Sequence, residues 1–340
     1  MASPHSASTD PPSILIVGAG AFGLSTALSL LSRPRFASST LTLLDPYGPT
    51  GTNPHASSVD SSRIVRSDYA HPAWEKGVVR RLRVEDSAGG DKKRVRGVEL
   101  EGGGWVEADL VVLATGAWTG RLLDMRGRAE ASGQVLAYVQ LSEEERVALR
   151  GRPVFMNMST GMFLIPPTRD GVLKVARHGY GYRNPVRIPH PEKAGAGEEI
   201  EVSLPAEDFE TLPAEGEKAC RDALREMLPW VSERAFCHTR LCWYTDTPTG
   251  DFIVDWHPAY EGLFLATGGS GHGFKFLPVL GEKIVDAIEG RLEEELGELW
   301  AWPRRGVEGF TGTEDGTRGG RKGMLLRGEM QMSGEVKSRL

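Results

Sequence analysis

Ser13-Ile14-Leu15-Ile16-Val17-Gly18-Ala19-Gly20-Ala21-Phe22-Gly23 is the stretch whose reading decides the fold. Ser13 to Val17 is a short apolar run with β-branched residues, suited to a strand buried on both faces. The glycines follow at once, and Leu24 to Leu31 reads as a helix. Leu41 to Leu44 is a second buried strand, ending in Asp45, 25 residues after Gly20. The whole is one βαβ unit with a division of labour. Gly18 makes the turn, Gly20 admits backbone close to a pyrophosphate, and Gly23 lets helix and strand pack. Ala19, Ala21 and Phe22 complete the turn, the helix N-terminus faces the phosphates, and Asp45 accepts from ribose hydroxyls. The plain alternative is a glycine-bearing strand-to-helix turn in some other α/β protein. Strand, helix and acid together favour a dinucleotide.

Outward from this unit the pattern changes. Pro46 to Gly77 is rich in Gly, Pro, Ser and Asn and lacks a helical period, an uncommonly long connection for a compact domain. Val78–Val84, Arg94–Leu100 and Trp105–Leu113 read as three strands of a β-meander, the third ending in Ala114-Thr115-Gly116-Ala117-Trp118. A nicotinamide dehydrogenase would continue with alternating strand and helix, so the meander favours FAD, with Gly116 beneath the flavin. Gln134–Gln140, Val154–Ile165 and Val172–Arg177 are further strands. Ser142-Glu143-Glu144-Glu145 is a capping-box helix start, and Ala219–Met227, closed by Pro229, is another helix. Leu263–Thr267 is a late strand, followed by a glycine-rich turn and a helix over Leu280–Arg291. The segment from Arg304 onward is polar and glycine-rich, an extended wrap or partly disordered.

Composition narrows the function classes. The 340 residues carry a net charge of -6, which argues against nucleic acid as a partner. No run is long enough for a membrane span. Cys220, Cys237 and Cys242 form neither a CxxC pair nor a metal pattern, so neither a disulfide scaffold nor a metal site is expected. The Ser/Pro-rich residues 1–12 read as a frayed tail and not as a signal peptide. Ser338-Arg339-Leu340 resembles the peroxisomal Ser-Lys-Leu address, with its import receptor as a partner; otherwise the expectation is cytoplasmic.

Three C-terminal segments are more specific than the glycines. These are Arg240-Leu241-Cys242-Trp243-Tyr244-Thr245-Asp246-Thr247-Pro248, Asp251-Phe252-Ile253-Val254-Asp255 and Gly268-Gly269-Ser270-Gly271-His272-Gly273-Phe274-Lys275-Phe276. With Ser62-Arg63-Ile64-Val65-Arg66 and the glycine turn, they resemble the sarcosine oxidase-like family of FAD-dependent amine oxidases, over most of the chain. That family includes monomeric sarcosine, pipecolate, saccharopine and fructosyl-amino-acid oxidases. The resemblance implies a mixed α/β (α+β) fold: a Rossmann-like FAD-binding domain with a β-meander (13–130 and 241–300), a smaller mixed-sheet substrate domain (131–240) and an extended C-terminal tail (301–340).

It also implies roles. Cys242 would carry the flavin through a thioether. Lys174 would activate oxygen near the flavin and stabilise developing negative charge. Arg63, beside Ser62, would lie at the flavin ring. Arg66 and Lys275 would clamp a substrate carboxylate, by a planar fork and by a point charge. His178 and Tyr244 would flank the substrate, and Gly271, His272 and Gly273 the cofactor. The implied reaction oxidises a secondary amine of an amino acid to an imine while O2 becomes H2O2, which suits a peroxisome. Taken alone, each residue also has a bland reading: a buried apolar cysteine, a solvated lysine, a strand with alternating charges, a loop histidine. The fructosyl branch carries Asn-Lys where this chain has Ser62-Arg63, which leans slightly towards sarcosine, pipecolate or saccharopine. Fructosyl amino acids remain the alternative.

One departure stands out. The family has a largely helical segment between the Arg-x-x-Arg strand and the meander, whereas here Tyr69-Ala70-His71-Pro72-Ala73-Trp74 runs almost directly into Val78. A truncated flavin-binding homologue without activity, or a nicotinamide-dependent dehydrogenase that leaves Cys242 unexplained, are the rival readings.

Overall fold

The computed structural model describes residues 11–48, 53–57, 74–87, 92–193, 197–206, 209 and 211–331. Ser62, Arg63, Arg66 and Ser338-Arg339-Leu340 lie outside the described residues.

β1 (Ile14–Val17) is wholly buried and leads through Gly20 into α1 (Ala21–Leu31). The chain returns as β2 (Leu41–Asp45), parallel to β1 in register Ile14 to Leu41, and β3 (Trp74–Lys76) pairs beyond it. β4 (Val79–Asp86), β5 (Lys93–Leu100) and β6 (Trp105–Glu107) form the expected meander. The predicted strand Trp105–Leu113 divides here: β6 stays with the meander, and β7 (Leu110–Leu113) enters the first sheet beside β1. Asp109 makes the break. Its carboxylate accepts from the Ser13 N–H at 2.9 Å and the Ser13 hydroxyl at 2.7 Å, docking the start of β7 on the start of β1. These bonds hold the Asp109 carboxyl below its ordinary range.

After a 3-10 turn (Gly116–Trp118) and the short α2 (Thr119–Leu122) the chain builds a second large sheet. β8 (Glu130–Gln140) is its spine. α3 (Glu143–Ala148) begins with the predicted capping box, in which the Ser142 hydroxyl accepts from the Glu145 N–H and the Glu145 carboxylate accepts from the Ser142 N–H. The predicted strand Val154–Ile165 is in fact a hairpin of β9 (Phe155–Asn157) and β10 (Met162–Ile165). Its turn is set by the Asn157 side chain, which accepts from the N–H groups of Ser159 and Thr160, and by Gly161 at φ +68°. β11 (Val172–Arg177) lies between β10 and β8. β12 (Tyr182–Arg183) follows, then the separate hairpin of β13 (Pro185–Pro189) and β14 (Glu199–Ser203).

α4 (Ala214–Met227) starts five residues earlier than predicted and covers one face of the second sheet. Arg177 reaches across to it, donating twice to Glu215, which also accepts from the Tyr182 hydroxyl. β15 (His238–Asp246) then pairs with β8 along its whole length, from His238 opposite Tyr138 to Asp246 opposite Glu130. The domain boundary expected at 240/241 falls inside this strand.

The chain finally rejoins the first sheet through β16 (Ile253–Trp256) and β18 (Leu263–Thr267), with β17 (Tyr260–Glu261) between them in sequence. The completed order is β16-β18-β7-β1-β2-β3, with only β16 antiparallel to its neighbour. Because β2 lies on one side of β1 and β7 on the other, a crevice opens beyond the C-terminal end of β1, where such sheets bind ligands. α5 (Leu277–Ile288) packs on α1 so closely that a Cβ on Gly281 would stand 2.1 Å from the Ser25 carbonyl oxygen. α6 (Glu294–Leu299) and β19 (Met324–Leu325) follow, and residues 326–331 are helical. β19 pairs with β12, so the polar segment after Arg304 is a packed strap as far as residue 331.

Candidate functional site

The glycine turn has the geometry its sequence promises. Gly18 sits at φ +101°, and a Cβ there would lie 2.6 Å from the Ala114 carbonyl oxygen at the end of β7. A Cβ on Gly23 would be 1.9 Å from the Gly18 carbonyl oxygen, so no larger residue fits between helix and strand. Gly20 caps α1 without any side-chain hydrogen bond, and no acidic residue stands in the first turn. The helix start therefore keeps its N–H groups for an anion. Asp45 is half-buried and does two things. One oxygen accepts from the Ala19 N–H at 2.9 Å and the other from the Tyr47 N–H at 3.0 Å. It thus fixes the turn, and its remaining lone pairs are the acceptors a ribose would use.

The second half of the site lies on one face of the second sheet. Side chains on a strand alternate faces, and the register puts Lys174 opposite Tyr138, Ala176 opposite Leu136, and Cys242 opposite Gln134. Lys174, Cys242 and Tyr244 therefore share a face, along with Phe163 from β10. Lys174 and Cys242 stand two strands and four residues apart, about 10 Å across the sheet and about 13 Å along it. All three are almost fully buried, and the Lys174 ammonium lies 5.8 Å from the Phe163 ring centroid. His178 follows β11 with its ring 5.9 Å from that of Tyr244. The alternate residues Leu241 and Trp243 point into the core beneath α4.

The turn from Gly268 to Gly273 joins the two halves. A Cβ on Gly273 would come within 2.8 Å of the Phe22 ring, and one on Gly271 within 2.2 Å of the Tyr244 ring. This loop is clasped between the dinucleotide turn and the Tyr244 face, which explains why it is built from glycine. His272 does not face outward: its Nε2 lies 2.8 Å from the Gly250 carbonyl oxygen and its ring packs on Phe252. Lys275 is exposed in the 3-10 turn Gly273–Phe276, and among the described residues no ion pair engages it. Gly116 is at φ +51° near the Thr245 hydroxyl. Cys220, by contrast, is on the buried face of α4 with its thiol pushed up to about 12 by desolvation, which makes it inert.

Several polar residues here were invisible in the sequence. Asp246 is fully buried, its carboxyl pushed up by desolvation and opposed by Arg318 and the Ser132 hydroxyl. Asp246 ends the Cys-Trp-Tyr-Thr-Asp run, which was the available clue; Arg318 and Ser132 had none. A cavity of about 360 Å³ also opens beside the 3-10 turn after β7, lined by Ala117, Thr119, Glu130, Arg183, Ser203 and Thr245. Neither Lys174 nor Cys242 nor Tyr244 lines it. Within it, burial pushes Glu130 up to about 7 against the pull of Arg183.

A Rossmann-like turn joined through a glycine loop to a lysine- and cysteine-bearing sheet face defines a dinucleotide-dependent oxidoreductase of the flavoprotein kind. The chain belongs to the FAD-dependent oxidoreductase family, whose model matches residues 75–287. That span begins after the glycine turn, so the two indications are independent. The chain is 29% identical to the amino acid oxidase imqH of Aspergillus flavus, over 86% of this chain and 98% of that one. It is 31% identical to the L-saccharopine oxidase of Schizosaccharomyces pombe over 60% of this chain, spanning about half (47%) of that protein. The crystal structure of fructosamine oxidase from Aspergillus fumigatus superimposes with a TM-score of 0.76, at 25% identity, over 94% of this chain and 96% of that one. The alignment to imqH runs over 467 positions against 340 residues here, so well over a hundred of them have no counterpart in this chain.

Proposed function

We propose that this chain is an FAD-dependent oxidase of an amino acid's secondary amine, of the sarcosine, pipecolate or saccharopine type, releasing an imine and hydrogen peroxide. One observation carries the reading: Lys174, Cys242 and Tyr244 share a face that the Gly268–Gly273 turn ties to the dinucleotide turn at Phe22.

The structure suits FAD. The glycine turn is packed so closely that Gly18 and Gly23 admit no Cβ, and the uncapped helix start and Asp45 match a pyrophosphate and a ribose. FAD, when bound, accepts the hydride equivalent and hands electrons to dioxygen; the protein binds, orients and tunes. In our reading Gly18 to Gly23 hold the pyrophosphate and Cys242 provides the covalent attachment. The Lys174 ammonium offers positive charge to oxygen on a desolvated face. Tyr244 and His178 wall the amine. Lys275 and Arg66 receive the carboxylate, while Arg63 and Ser62 line the ring. The division into a nucleotide-binding and a substrate-binding part, and delivery to peroxisomes through Ser338-Arg339-Leu340, belong to the same proposal.

The test is expression with FAD, a visible spectrum before and after acid denaturation, and a peroxide assay against sarcosine, pipecolate, saccharopine and fructosyl amino acids. The expected result is peroxide with a secondary amine and a yellow chromophore that stays with the denatured chain. Turnover of fructosyl substrates alone would move the assignment to that branch. A colourless, inactive protein would sink the oxidase reading.

A further inference from the structure

We propose that the C-terminal strap is part of the site, with Arg318 as a positioning residue that locks the Gly268–Gly273 turn against Tyr244. The inference rests on the oxidase reading for its meaning, and on the following geometry for its content. The Arg318 side chain is 1% exposed. One nitrogen, Nη2, donates to the Asp246 carboxylate at 2.7 Å, to the Ser270 carbonyl oxygen at 2.9 Å and to the Thr313 hydroxyl at 3.2 Å. Its guanidinium carbon lies 5.7 Å from the Tyr244 ring centroid. Ser270 has φ +44°, the single positive-φ residue other than glycine among those described. A non-glycine residue keeps that conformation only where its surroundings impose it, and Arg318 grips its carbonyl.

The strap also brackets His178. The Thr317 hydroxyl lies 3.3 Å from His178 Nε2, while Asp315 accepts from the Thr317 N–H and hydroxyl. The Gly319 N–H donates to the His178 carbonyl oxygen, and the Tyr180 N–H returns a bond to Gly319. From the sheet side, Asp246 accepts from Ser132, whose hydroxyl accepts from Gln134, whose carbonyl in turn accepts from the Gly179 N–H. Tyr244, His178 and the glycine turn are thus held by one connected network that Arg318 closes. Nε and Nη1 of Arg318 are buried and find no partner among the described residues.

The experiment is FAD titration of protein carrying Cys242→Ala, so that FAD exchanges, followed by flavin fluorescence. Arg318→Met combined with Asp246→Asn removes both charges together and avoids stranding a lone buried carboxylate. This pair is expected to bind FAD at least tenfold more weakly, because the turn loses its hold against Phe22. Arg318→Lys, which keeps the charge but puts a compact, strongly hydrated ammonium in place of the weakly hydrated planar guanidinium in a buried site, is expected to weaken FAD at least threefold. Adding Ser270→Gly should recover much of that loss, since glycine needs no clamp at φ +44°. Thr317→Val should leave FAD affinity unchanged and raise the amine KM more than it lowers kcat. A merely structural Arg318 would lower Tm and leave FAD affinity within twofold, and that result overturns the proposal. If the double variant does not fold, Arg318→Lys with and without Ser270→Gly decides alone. Should the parent protein oxidise no amine, the oxidase reading fails, and the FAD titration still judges Arg318.

Discussion

Glu130 offers the sharpest quantitative test. Its side chain is 12% exposed, it borders the 360 Å³ cavity, and its carboxylate accepts from Arg183 Nε at 2.8 and 3.0 Å. Burial outweighs that partner, and the nearby Asp246 charge adds to the effect, so the group titrates at about 7 instead of 4.5. The folded state therefore holds a proton that the unfolded chain has released. Stability from this group is full below pH 4.5 and is lost as pH rises to about 7. The difference is on the order of 3 kcal/mol. Glu130→Gln keeps the shape and an acceptor for Arg183 but cannot ionise. The variant should match the parent near pH 4.5 and exceed it by roughly 3 kcal/mol at pH 8. Urea unfolding at fixed FAD concentration, followed by tryptophan fluorescence from pH 4.5 to 8, reads the difference as a shift in midpoint with unchanged m-value. A pH-independent difference, or a variant weaker than the parent at pH 8, refutes the reasoning.

His257 should show the opposite slope. Desolvation, then the Arg128 charge, pushes it down to about 4 within a cluster of Tyr260 and Trp302. Its stabilising contribution is present above pH 6.5 and lost as pH falls towards 4, again on the order of 3 kcal/mol. His257→Phe should flatten the fall of Tm between pH 7 and pH 5, and an unchanged slope counts against a neutral buried imidazole. Gly23→Ala puts a methyl 1.9 Å from the Gly18 carbonyl oxygen. FAD titration should then show at least tenfold weaker binding while the far-UV circular dichroism is kept; unaltered affinity contradicts the packing argument. Cys242→Ala should leave a protein whose flavin is released by acid precipitation, and colour retained in that pellet would falsify the attachment site.

Much of the first sheet was legible because its signals are local. Ile14 to Val17 is an unbroken apolar run, and only glycine tolerates φ +101° at residue 18. The capping box at Ser142 was readable for the same reason. The division of Trp105–Leu113 was not, because it depends on Asp109 meeting Ser13 across 96 positions of sequence. The hairpin at Val154–Ile165 was missed because a turn of Asn157 to Gly161 interrupts an otherwise continuous apolar signal. In the candidate site, Lys174, Cys242 and Tyr244 were singled out by the family resemblance, and the register shows them sharing a face. Arg318 gave no signal. It lies in a glycine- and threonine-rich stretch that reads as unstructured, and its partners, Asp246, Ser270 and Thr313, come together only through tertiary packing.

β15 has a consequence of its own. Its odd residues, Leu241 and Trp243, anchor the hydrophobic interior beneath α4, while its even residues, Cys242 and Tyr244, line the opposite face with Phe163. Two messages are interleaved in one strand, one letter apart. Insertion or loss of a single residue upstream in the strand would send tryptophan to the Tyr244 face and cysteine into the core beneath α4, corrupting both at once. Such a strand tolerates substitution but not a change of phase. A change of length between β2 and β3, far from it in sequence, leaves both messages in frame.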